Sequence, residues 1–165
     1  MYFKHMRYTG VLPISSILIC LSIIFLSASG RQYDSIHQFA ERVLVRLNKM
    51  HHPESELLKI RKCELLLSDE GFLRYRKTYI SGKQEYYSLN ITRVSSIDYI
   101  GDTGSGNLLL KTMEDDVIVQ TFNDRDGNVD SMATHFRLDL HTVEPEDLVA
   151  LQDDILGMKL LLKKN

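Results

Sequence analysis

The residues best spaced for chemistry lie in the acidic stretch Asp124-Arg125-Asp126-Gly127-Asn128-Val129-Asp130, where oxygen ligands fall at every second position. Calcium loops use that spacing, with a glycine to turn the chain and a late bidentate acid. Here Gly127 comes early for the helix-flanked pattern and no glutamate closes the loop. An acidic Asp-Gly turn between strands explains the same residues. A weak calcium site at Asp124, Asp126, Asn128 and Asp130 is the competing reading. A second set is basic: Lys62, Arg74 and Arg76, with Lys77 and Lys83 nearby. It reads as a solvated strand face, with attraction to an anionic surface as the alternative.

The remaining candidates do not converge. His51 and His52 are adjacent, so on a helix they point about 100° apart. His37, His135 and His141 have no cysteine or carboxylate at ligand spacing. Gly104-Ser105-Gly106 lacks the flanks of a nucleophile elbow and the lysine of a phosphate loop. Asp115-Asp116 and Asp153-Asp154 are neighbour pairs whose side chains diverge, so solvated turns and helix faces are expected. Asn90-Ile91-Thr92 matches a glycan acceptor within a strand. The expectation is a chain without catalytic or cofactor-binding residues, hence not an enzyme.

Those residues must be positioned by two kinds of element. Ile36, Ala40, Val43, Leu47 and Met50 recur at helical steps, predicting an amphipathic helix over 34–50, capped by Asp34 or Ser35 and ended by Pro53. Its stripe favours docking on the sheet or pairing with a partner helix, a link between domain and membrane being the alternative. From Arg61 the period becomes two. Seven strands are expected: 62–67, 72–80, 85–92, 96–100, 107–112, 117–122 and 131–140. In the last, Met132, Thr134, Phe136 and Leu138 face one way. A closing helix begins at Pro145 with Glu146 and Asp147 at its positive end. It carries the stripe Leu148, Leu151, Ile155, Met158 and Leu162. Gly157 inside it costs about 1 kcal/mol against Ala, so a bend or frayed last turn is expected.

The leader gives an address. Lys4 and Arg7 precede the apolar run Val11 to Ala28, and small residues follow to Gly30. A cleaved secretory signal fits that order. A retained anchor fits too, because about 18 apolar residues approach the length of a bilayer span. Either reading exports the rest, to the periplasm or outside, or tethers it to the membrane. The division expected is 1–30 leader, 31–60 helix and linker, and 61–165 β domain. Lys4 and Arg7 are the only charges before Arg31; removing them from the 20 basic residues leaves 18 against 22 acidic, or −4. That balance argues against a nucleic-acid partner. Cys63 is the one cysteine beyond the leader, so no internal disulfide forms there, and burial is expected.

The element order from Arg61 to Lys164 resembles the pleckstrin-homology-like superfold. The resemblance implies an α+β fold, a seven-stranded antiparallel bent, barrel-like sheet with its open end capped by the C-terminal helix. Some members hold phosphoinositide headgroups with a lysine followed by Arg-x-Arg on the next strand, and Lys62, Arg74 and Arg76 resemble that arrangement. Asp69 and Glu70 in the intervening turn oppose phosphate. As an exported single domain with a helix before its sheet, the chain also resembles uncharacterised envelope proteins of bacteria. The resulting expectation is a non-enzymatic module contacting envelope proteins, with membrane contact through an uncleaved leader. The alternative is a binder of a small or lipidic ligand at the open end, near Tyr75, Tyr79, Tyr86, Tyr87 and Tyr99, or of an anionic surface.

Overall fold

The computed structural model describes residues 35–52 and 59–164. The leader to Gly30, the cap candidate Asp34 and the terminator Pro53 lie outside the described residues. Helix α1 spans 35–50 and buries the whole predicted stripe: Ile36, Ala40, Val43, Leu47 and Met50. It belongs to the same compact unit as everything that follows.

Eight strands come next: β1 (Ile60–Leu67), β2 (Phe72–Tyr79), β3 (Gln84–Asn90), β4 (Val94–Gly101), β5 (Ser105–Thr112), β6 (Val117–Phe122), β7 (Asp130–Ala133) and β8 (His135–His141). Helix α2 closes the chain over Pro145–Lys164. The strands form two antiparallel sheets, ordered β1-β2-β3-β6-β7 and β4-β5-β8. The α+β class with a C-terminal helix is as expected. The single seven-stranded, barrel-like sheet is not: there are eight strands in two sheets, and the barrel is not closed.

The chain changes sheet three times, and each crossing has a local cause. Between β3 and β4, Ile91–Arg93 forms one 3₁₀ turn with Asn90 Oδ1 accepting from the Thr92 amide at 2.9 Å. Between β5 and β6, the Thr112 hydroxyl donates to the Glu114 carbonyl at 2.6 Å. The third crossing corrects the strand expected over 131–140. At Thr134 the carbonyl turns to accept from the Thr112 amide at 2.8 Å, with the Thr112 hydroxyl oxygen 3.0 Å away. One residue is used up in the crossing, so the alternation shifts by one. Ala133 packs against the core, Met132 is exposed, and inward alternation resumes at Phe136, Leu138 and Leu140.

One core joins both sheets and both helices. Leu65, Leu67, Leu73, Tyr75 and Leu89 come from the larger sheet; Leu108, Leu110, Phe136, Leu138 and Leu140 come from the smaller. Tyr75, Tyr87 and Phe136 bridge the sheets, with ring centroids 6.2–6.5 Å apart. From α2, Leu151, Ile155 and Met158 are fully buried, while Leu148 and Leu162 are partly so. The edge of β4 is covered by α2: Gln152 Nε2 donates to the Ile97 carbonyl at 3.1 Å, and Lys159 Nζ donates to the Val94 carbonyl. Such capping protects an edge from strand addition.

Two expectations about α2 are corrected. The helix does not stop or fray at Gly157 but runs to Lys164. A Cβ at Gly157 would sit 2.6 Å from the Phe39 ring of α1, so the missing side chain makes room for that ring. Asp154 is not solvated: it is 7% exposed and pairs with Arg42 Nε at 2.8 Å and Arg46 Nε at 3.1 Å. Asp147 extends the network to Lys49 at 2.7 Å. This ladder fastens α1 to α2.

Candidate functional site

Strand alternation sends one set of side chains of the five-stranded sheet into the core and the other to its outer face. The register Leu66–Arg74–Ser88–Ile118–Met132 makes one continuous cross-strand row there. The next row is Glu64–Arg76–Tyr86–Gln120–Asp130, and Phe72 and Phe122 lie at opposite ends of the face. Leu66, Phe72, Ile118, Phe122 and Met132 are each 37–59% exposed. An antiparallel sheet with one wet face normally carries polar residues there. Here Leu66 and Phe72 stand on one side and Ile118 and Met132 on the other, with Arg74 and the buried Ser88 between them, and exposed apolar side chains grouped in this way mark a contact surface.

The basic set of the sequence lies on this face. Glu64 stands between Lys62, 2.6 Å away, and Arg76, which donates through Nε at 2.9 Å and Nη2 at 2.5 Å. The Lys62 ammonium and the Arg76 guanidinium hold its carboxyl below the usual range. Two of the three cations are thus already matched by one carboxylate. Arg74 forms no ion pair among the described residues; its guanidinium lies 5.6 Å over the Phe72 ring. Glu64, Leu66, Arg74, Arg76 and Tyr86 line a shallow groove of about 210 Å³.

The acidic stretch forms the turn between β6 and β7. Asp124 Oδ2 meets Lys83 Nζ at 2.8 Å, and its Oδ1 accepts from the Asp126 amide at 3.2 Å. Asn128 Oδ1 accepts from the Asp124 amide, and Asp130 Oδ1 from Gln120 Nε2 at 3.1 Å. Lys83, first of all, holds the Asp124 carboxyl below its ordinary value. The four side chains share a turn but aim at separate partners. Among the described residues, no group of three or more His, Cys, Asp or Glu side chains is arranged to hold a metal.

The glycine loop after β4 is a hairpin connection. Asp102 Oδ1 accepts from the amides of Gly104 and Ser105 at 2.8 and 2.9 Å. The Tyr99 ring lies over Gly106, where a Cβ would come within 2.5 Å of it, and its hydroxyl donates to the Asp102 carbonyl. Of the other tyrosines weighed for an open mouth, Tyr75 is buried in the core, whereas Tyr79, Tyr86 and Tyr87 are half-buried. Tyr87 donates to Glu85 Oε2 at 3.2 Å, and burial pushes its phenol up to about 12.

Sequence reading missed one polar chain inside the fold. His51, half-buried at the end of α1, places Nδ1 2.9 Å from the Asp139 carbonyl and Nε2 2.9 Å from the Tyr75 hydroxyl. A carbonyl only accepts, so the neutral ring carries its proton on Nδ1 and Nε2 accepts from Tyr75. Cys63 Sγ lies 3.6 Å from the same hydroxyl, whose single proton is committed to His51, so the thiol supplies the proton of that contact. Burial lowers the His51 pKa against the pull of the Asp139 carbonyl, and the Lys77 and His52 charges lower it further. Burial likewise raises that of Tyr75. The arrangement holds α1 to both sheets. Adjacent histidines before a proline gave no sign of it, since the partners lie 24 and 88 residues away.

Comparison with protein-family models, curated proteins and solved structures finds no match. Among the described residues, no helix is long and apolar enough to cross a membrane.

Proposed function

We propose that this protein is an exported or membrane-tethered, non-enzymatic module that binds an envelope protein through the outer face of its five-stranded sheet. The observation that carries this reading is the row Leu66–Arg74–Ser88–Ile118–Met132, with exposed Leu66 beside Arg74 at one end and exposed Ile118 and Met132 at the other, Arg74 lacking a carboxylate partner among the described residues. Apolar contact supplies affinity on such a face, and a guanidinium selects a partner carrying an acid or a carbonyl. The apolar run behind Lys4 and Arg7 supports export. Antiparallel strands followed by a C-terminal helix support a distant pleckstrin-homology-like kinship, with the strands opened into two sheets.

Pull-down of the full chain from envelope extract tests the interaction. Wild type is expected to retain a partner that Leu66→Glu with Met132→Glu loses. A chain that retrieves the same proteins with and without those substitutions contradicts the proposal. A second reading, adhesion to an anionic lipid surface, has Arg74 and Phe72 in its favour. Glu64 weakens it by holding Lys62 and Arg76. Flotation with anionic vesicles at two salt concentrations separates the two: a protein partner predicts no salt-sensitive flotation of the Leu12-to-Ala28-deleted chain.

A further inference from the structure

Helix α2 has a second apolar line. Leu151, Ile155 and Met158 enter the core, yet Val149, Leu156 and Leu160 on the opposite side are 58, 47 and 71% exposed. Steps of seven and four residues bring these three onto one line along the helix, within about 40° of rotation. A surface helix ordinarily turns polar residues outward. An apolar outer line on a helix already docked by its inner one calls for a second neighbour.

The charges along α2 identify that neighbour. Glu146 lies in the first turn, and Lys163 and Lys164 lie in the last. None of the three forms an ion pair among the described residues. Asp147, by contrast, is engaged with Arg46 and Lys49. The outer side is therefore acidic at one end, apolar in the middle and basic at the other. A surface of that kind complements itself when turned end for end.

We propose that α2 packs antiparallel against α2 of a second copy of this chain, about a two-fold axis passing between Asp154 and Ile155. That register sets Val149 of each copy against Leu160 of the other and centres Leu156 in the seam. It brings Glu146 to Lys163 and Lys164 of the other copy and opposes the two helix dipoles. A parallel arrangement sets lysines on lysines and Glu146 on Glu146. One contact in the antiparallel pair is unfavourable: Asp153, exposed on one flank, lies near its own symmetry mate. The surface is independent of the outer sheet face, so a chain bound to a partner there keeps α2 free. Three apolar side chains per copy bury less than the ~800 Å² per partner of a standard interface, so the pair is a weak one.

Cysteine cross-linking of the full chain in cells, with added oxidant, reads the register directly. Val149→Cys together with Leu160→Cys is expected to give a covalent dimer, as are the two single variants co-expressed. Leu160→Cys alone is expected to give none above the wild-type background, because the two copies of residue 160 lie about 16 Å apart along the seam. In the double-cysteine chain, Glu146→Lys is expected to lower the dimer yield about tenfold. Adding Lys163→Glu and Lys164→Glu restores it, and Asp153→Asn raises it. All these positions are exposed, so the fold is kept. Absence of a dimer from the double-cysteine chain overturns the proposal. So does an equal yield from Leu160→Cys alone, capture of a different protein instead, or failure of the reversed charges to restore pairing.

Discussion

His51 fastens the end of α1 by accepting a proton from Tyr75 and donating one to the Asp139 carbonyl. Both bonds, in that sense, need a neutral ring. The folded protein holds the pKa of His51 below 6.5. As pH falls past about 6.5, the unfolded chain takes up this proton before the folded one does. Folding stability therefore declines over that interval, and the loss is complete once pH has passed below the folded value. Above about 6.5 the penalty is absent. Lys77 and His52 deepen the effect, and Asp139 opposes it. Melting temperatures measured between about pH 5 and 7.5 are expected to fall toward acid, with a smaller slope in His51→Gln. Tyr75→Phe strands Nε2 of His51 and is expected to cost about 1–3 kcal/mol in urea unfolding at neutral pH.

At the scale of elements, the helix pair rests on two residues whose sequence signals point the wrong way. Propensity favours Ala over Gly at 157 by about 1 kcal/mol. The Phe39 ring occupies the space a methyl group would need. Gly157→Ala is therefore expected to destabilise, because overpacking costs about 1–3 kcal/mol and outweighs the propensity gain. Urea unfolding of the single variant, and of Gly157→Ala with Phe39→Leu, checks this; relief in the pair is the expected result. Asp154→Ala leaves Arg42 and Arg46 facing each other. The arginines are partly solvated, so the expected loss is about 1–3 kcal/mol, short of a fully buried pair. Hydrophobic period alone makes α1, α2 and most strands legible in the sequence: every residue of the α1 stripe is buried. It could not reveal Asp154, because an acid on a helix reads as solvated until a second helix brings arginines 108 and 112 residues away to it. Nor could it reveal the break at Thr134, where apolar spacing looks continuous and only the Thr112 amide bond shows the crossing.

At the scale of the whole molecule, two sheets and two helices enclose one core and leave two apolar surfaces in water. The proposed leader predicts an exported chain. Fractionation of cells expressing the full protein is expected to recover it outside the cytoplasm, beginning near Gly30 or Arg31 if cleaved, or at Met1 in the membrane if anchored. Recovery of the intact chain from the cytoplasm contradicts that address. The basic set was legible as a shared strand face, but its neutralising Glu64 and the exposed apolar side chains of the cross-strand row emerge only from the strand register. The outer face carries the proposed interaction, and a photo-crosslinking residue at Ile118 of the full chain in cells tests it most directly. One discrete adduct with another envelope protein is expected, absent from the same residue placed at the exposed Ser81 and lost with Leu66→Glu and Met132→Glu. No adduct at Ile118, or the same adduct from Ser81, would contradict the proposed interface.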